Sequence, residues 1–249
     1  MLITLFDYGA GNLHSLAKAL EMPGATVRVE PDPVRALDTD LLVLPGVGAF
    51  AAAAARLAPG RDAMRAALQD GLPCVGICLG MQLLLDGSDE GEGVGLGVVP
   101  GRVERLRARR VPQIGWNAIE DVRDPLFARA PLGVAYYANS YVCRPASDGA
   151  VIAWSTHEGD RFAAAVRVGN TVGVQFHPEK SSAAGVAFLR AVVGTASDAR
   201  RGASDEGRRG GRRLPARGAP PEPHDAAVAP VGQHRSDADH IETSHEERP

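Results

Sequence analysis

The stretch "LPCVGICLGMQLLL", residues 72–85, holds two apolar runs separated by a glycine-flanked cysteine. "PCVGI" has the length and branched side chains of a buried strand, and "LGMQLLLD" reads as a helix. A strand running straight into a helix puts Cys78 at the strand's carboxyl end. Open α/β sheets collect their chemistry there, because helix N-termini present unpaired N–H groups. Gly76 and Gly80 allow the tight turn this requires, since a Cβ at either place would crowd it or forbid a positive φ. G-x-C-x-G is the cysteine counterpart of the G-x-S-x-G nucleophile elbow. It raises the thiol clear of the sheet, aims the Leu79 N–H at an oxyanion and lets the helix dipole favour thiolate. Cys74, inside the strand, and Cys143 read as buried structural cysteines.

Outward from this junction, short apolar runs alternate with amphipathic ones. "LITLF", "TVRVE" and "LLVLPG" read as strands, and "NLHSLAKALEM" as a helix. "AAAAARLAPGRDAMRAALQDG" reads as a helix broken near Pro59-Gly60 and stopped by Gly71. Alternation of this kind implies right-handed crossovers and a parallel sheet covered on both faces. Beyond residue 97 come strand-like segments separated by turns, among them "GVAYYANSYVC", "AVIAWSTH" and "TVGVQF", which suggest antiparallel pairing. "SAAGVAFLRAVVG" closes the domain as a helix. The expected fold is α/β, an open and mostly parallel sheet flanked by helices, with an antiparallel β-rich second half.

The chain has 249 residues, 45% hydrophobic and 23% charged, with a formal net charge of -3. That balance exerts no overall pull toward nucleic acid or anionic membrane. No apolar run approaches membrane-spanning length and the N-terminus lacks a basic leader, so a cytoplasmic protein with reduced thiols is expected. No metal or cofactor signature is present, and "GEGVGLGV" misses the dinucleotide-binding glycine spacing. Composition breaks near residue 197. From Asp198 to Pro249 there is no Phe, Tyr or Trp, while seven Arg in residues 200–217 precede seven acids in residues 218–249. The expected organisation is a domain over residues 1–197 and a disordered charged tail over 198–249.

A nucleophilic cysteine needs an imidazole and a group to orient it. Of seven histidines, His224, His234, His240 and His245 lie in the tail, and His14 and His157 read as surface residues. His177 ends "TVGVQF" and precedes Pro178-Glu179. Pro178 favours an extended backbone at His177, which would project residues 177 and 179 to one side. Glu179 could then hold one ring nitrogen while the other faces the thiol.

"VGICLGMQ" together with "VGVQFHPEKS" resembles the class I glutamine amidotransferases, with Cys78, His177 and Glu179 matching their triad. "DYGAGNLHSLAKAL", "VLPGVGAF" and "VPQIGWN" narrow the likeness to the glutaminase subunit of imidazole glycerol phosphate synthase, over residues 1 to about 194. The resemblance implies hydrolysis of glutamine to glutamate and ammonia, with no cofactor. It implies oxyanion contacts from the backbone of Leu79 and of the mobile Val47–Gly48 segment. It implies glutamine contacts from Gln82, Glu90, Asn139, Ser140 and Tyr141, with Asn139 standing where many relatives carry His. It also implies a heterodimer in which a (β/α)8-barrel cyclase receives the ammonia, with Asn12, Trp116 and Lys180 on the docking face. The cyclase would make imidazole glycerol phosphate and aminoimidazole carboxamide ribotide. A stand-alone cysteine hydrolase of related fold and a non-catalytic interaction protein are the competing readings.

Overall fold

A computed structural model describes the backbone of residues 1–9 and 13–210 and side chains as far as residue 196. Asn12, expected on a docking face, and residues 211–249 of the expected tail lie outside the described residues. The first half runs β1 (Leu2–Phe6), α1 (His14–Leu20), β2 (Thr26–Glu30), β3 (Leu41–Leu44), α2 (Phe50–Leu57), α3 (Arg61–Gln69), β4 (Cys74–Ile77) and α4 (Leu79–Gln82). The second half runs β5 (Gly87–Ser88), β6 (Gly101–Arg105), β7 (Gln113–Ala118), α5 (Pro125–Arg129), β8 (Val134–Asn139), β9 (Tyr141–Pro145), β10 (Val151–His157), β11 (Asp160–Val168), β12 (Thr171–Val174) and α6 (Ser182–Gly210).

Seven strands form one sheet in the order β10-β11-β12-β4-β3-β1-β2. The five from β12 to β2 are parallel, and β11 and β10 add antiparallel strands at one edge. The expected α/β architecture is what forms. β3 shows why: Leu41 and Val43 join one apolar cluster and Leu42 and Leu44 the other, all fully buried. A strand covered on both faces needs such an unbroken apolar run. Two smaller sheets, β5-β6-β9 and β7-β8, complete the second half.

The register of the central strands brings distant segments together. β12 lies parallel to β4 with Val174 opposite Ile77, and β3 lies on the other side with Leu44 opposite Gly76. Three neighbouring strands therefore end at one rim and release Gly46, Cys78 and His177 side by side, although residues 78 and 177 are far apart in sequence.

Three local expectations change. "LGMQLLLD" yields only the single turn α4, because the carbonyls of Leu83, Leu84 and Leu85 accept from the N–H groups of Leu96 to Val99 instead of continuing a helix. "GVAYYANSYVC" splits at Ser140: β8 pairs with β7, and β9 with β6. The closing helix passes Gly194 and continues to Gly210. The break at Pro59-Gly60 and the stop at Gly71, where φ is +98°, form as expected.

Candidate active site

Cys78 is the N-cap of α4 and holds φ 47°, ψ −102°, a conformation that costs a residue with a side chain about 1–3 kcal/mol. The strained turn is locked from both sides. Cys78 N–H donates to the Val174 carbonyl at 2.7 Å, and the Cys78 carbonyl accepts from Gln82 N–H at 3.0 Å. Both flanking glycines are required by close approach, not by their own φ. A Cβ on Gly80 would lie 2.0 Å from the Leu44 carbonyl oxygen, and one on Gly76 would lie 2.6 Å from the Gly80 oxygen. The positive φ falls on the cysteine itself. Cys74 and Cys143 are buried and free, as a structural role requires.

His177 follows β12 and is 2% exposed. Its N–H donates to the Tyr136 carbonyl at 2.8 Å, and its own carbonyl accepts from Ser181 Oγ at 2.6 Å. Its ring Nδ1 lies 2.8 Å from Glu179 Oε1. The carboxylate can only accept, so Nδ1 carries the proton and Nε2 is free for the thiol. His177 is extended as expected, and Glu179 comes within reach through a short 3₁₀ turn, Pro178–Lys180, that begins at the proline. Burial alone would depress the His177 pKa, but hydrogen bonds to Cys78 and Glu179 and the charges on both outweigh it and raise it to about 9. The remaining described histidines stand apart. His14 is exposed, and His157 places Nε2 3.1 Å from the Arg110 carbonyl oxygen.

These groups open into a cleft of about 310 Å³. Val47, Gly48 and Leu79 border it beside the sulfur, and Gln82, Glu90, Asn139, Ser140 and Tyr141 border the rest. Gln82 Nε2 and Asn139 Nδ2 both donate to the Tyr141 carbonyl at 3.1 Å, which fixes the two amides against each other. Asn139 Oδ1 is buried with no hydrogen-bond partner among the described residues. Glu90 also holds a structural post: its Oε2 accepts from Phe50 N–H at 2.9 Å. The N-cap residue of α2 is Ala49, which has no side chain to do this.

Lys180 borders the cleft and a second hollow of about 170 Å³ behind Pro45–Val47, reached by α1 and Glu179. Trp116 is not at the cleft. It stands on β7, 56% exposed, packed edge-on against Tyr136 at 6.3 Å. Ile114 and Val134 on the same two-stranded sheet are also exposed, so Trp116 is not a core residue. One group at the site has no counterpart in the sequence reading, and Gly46, expected there only as part of the flexible oxyanion segment, takes a further place. Gln175, fully buried, places Nε2 3.6 Å from Cys78 Sγ. Gly46 lies where a Cβ would touch both Cys78 and His177. Gln175 could have been found from strand parity, being two residues before His177. Gly46 needed the register of β3 on β4.

An elbow cysteine beside a buried histidine–glutamate pair, at the carboxyl rim of this sheet, defines a class-I glutamine amidotransferase. Residues 4–192 match the family model "Glutamine amidotransferase class-I", and the chain belongs to that family. Its relatives narrow the placement to the HisH branch. Imidazole glycerol phosphate synthase subunit HisH of Halobacterium salinarum is 43% identical over 206 residues, 79% of this chain and 94% of that protein. The HisH protein of Thermus thermophilus is 47% identical over 192 residues, 74% of this chain and 93% of that protein. A solved crystal structure of a glutamine amidotransferase shares the fold at TM-score 0.62 and 21% identity, covering 78% of this chain and 98% of that one.

Proposed function

We propose that Cys78, His177 and Glu179 perform the glutaminase half-reaction of imidazole glycerol phosphate synthase. The observation that carries this is a buried imidazole, hydrogen-bonded to a carboxylate and lining the same amino-acid-sized cleft as the elbow thiol. Cys78 thiolate attacks the side-chain amide carbon of glutamine, and His177 protonates the departing ammonia. Water, deprotonated by His177, then cleaves the thioester to glutamate and restores the thiolate. Glu179 keeps the ring oriented and favours its protonated form. Leu79 N–H, with Val47 or Gly48 N–H, stabilises the oxyanion; loss of one such donor typically costs about 10²–10³ in rate. Gln82, Glu90, Asn139, Ser140 and Tyr141 hold the amino-acid end of the substrate.

The ammonia acceptor sits on a cyclase partner with a (β/α)8 barrel. The exposed apolar side chains of Ile114, Trp116 and Val134 form its landing surface, with Lys180 as a charged contact beside the triad and Asn12 as a further contact that the family resemblance implies. We take residues 1–197 as the catalytic domain, with the tail outside it on composition. Three free cysteines fit a reducing cytoplasm, and no helix among the described residues is long and apolar enough to cross a membrane. The test is glutamate release with and without the cyclase partner and its nucleotide substrate. Strong stimulation supports the reading. Equal turnover in both conditions would mark a stand-alone hydrolase.

A further inference from the structure

We infer that Gln175 is the anion partner of the reactive thiol: its side-chain amide N–H holds the Cys78 sulfur as thiolate and fixes its direction. This rests on Cys78 as nucleophile. β12, which Gln175 follows directly, turns Gly173 toward the elbow helix. A Cβ on Gly173 would meet Met81 Cγ of α4 at 2.7 Å, and Gln175, two residues on, reaches the sulfur at the start of that helix with Nε2 at 3.6 Å. His177, two residues further, lines the same cleft as this sulfur, with its ring held by Glu179. The Gln175 backbone is pinned by its N–H to the Ala164 carbonyl at 2.9 Å, and its side chain is fully buried.

Burial of an amide without full pairing is costly. Gln175 Oε1 has no partner among the described residues, so the sulfur is the one polar contact of this amide among them. An amide N–H donates to thiolate without itself titrating, so it holds the nucleophile charged while His177 carries its proton. Tyr8 and Cys143 are further titratable groups whose charge would act on Cys78; Glu90, Tyr141 and Lys180 line the same cleft, and Glu179 stands behind His177. Burial pushes Tyr8 and Cys143 well above their ordinary ranges, so both stay neutral near neutral pH.

The test is the pH dependence of iodoacetamide alkylation in the full-length chain, read by mass spectrometry of the Cys78 peptide. Gln175→Met removes the N–H at nearly constant volume. Loss of a charge-assisted bond should raise the alkylation midpoint by about one pH unit, which cuts the thiolate fraction below it roughly tenfold and, with the more reactive thiolate, slows the reaction there about threefold. Above the midpoint the variant should react about threefold faster, because a more basic thiolate is the better nucleophile. Gln175→Asn, which retracts the amide by one methylene, should shift the midpoint in the same direction by less, and replaces the Met variant if that fails to fold. An unchanged midpoint would overturn the assignment, and a lowered one would show the amide accepting from a neutral thiol. Alkylation reads the sulfur and not turnover, so this result stays separate from whether Cys78→Ala abolishes glutaminase activity.

Discussion

Replacing Gly46 with Ala would place one methyl group between nucleophile and base without altering either. Its carbon would lie 2.9 Å from His177 Cε1, 2.9 Å from the Ile77 carbonyl oxygen and 3.1 Å from Cys78 Cβ. Ordinary contact begins at 3.4 Å, so about half an ångström must be found. The Ile77 carbonyl is held by β4 at the centre of the sheet, which leaves the imidazole or the Pro45–Gly48 segment to move. Misplacement by about 1 Å can cost about 10²-fold in rate, so half of that should lower kcat by about tenfold or more. The strain should also destabilise the fold by about 1–3 kcal/mol. The assay is glutamate release at saturating glutamine, alongside a thermal melt. Because Gln82 and Asn139 are untouched, KM should move much less than kcat. Full kcat in a folded Gly46→Ala chain would refute the convergence of Cys78 and His177 at this point.

Glu90→Ala should raise the KM for glutamine by removing a cleft carboxylate. It should also lower stability by about 1 kcal/mol through loss of the α2 cap, as a melt would show. Trp116→Ala should weaken cyclase binding by about 2 kcal/mol or more with little change in melting temperature, because the indole is exposed; a binding titration checks this. His177 has its pKa raised on folding, so its stabilising contribution is full below the unfolded value of 6.5 and is lost as pH rises through about 9. Stability should therefore decline across that window by up to on the order of 3 kcal/mol, and His177→Gln should flatten the decline in pH-dependent denaturant melts.

The elbow and the His-Pro-Glu run were legible because each is a local device. Two glycines around a cysteine, and a carboxylate two residues from an imidazole, state their geometry within a few positions. What joins them is not local. The pairing of Val174 with Ile77 that sets His177 beside Cys78 depends on β12 entering the sheet next to β4, and periodicity does not encode strand order. Leu83–Leu85 looked helical because apolar leucines suit a helix, yet their carbonyls are claimed by the loop at residues 96–99. Gln175 resembled any polar residue in a strand-like run until the sheet showed which way it faces. Ser140 breaks an apparently continuous strand because its two halves belong to different sheets.

Acid quenching during glutamine turnover, followed by mass spectrometry of the peptides, tests the chemistry where it is proposed to occur. A glutamyl adduct should appear on the peptide containing Cys78 and vanish in Cys78→Ala together with glutamate release. An adduct on another residue, or undiminished release from the Cys78→Ala chain, would contradict the account.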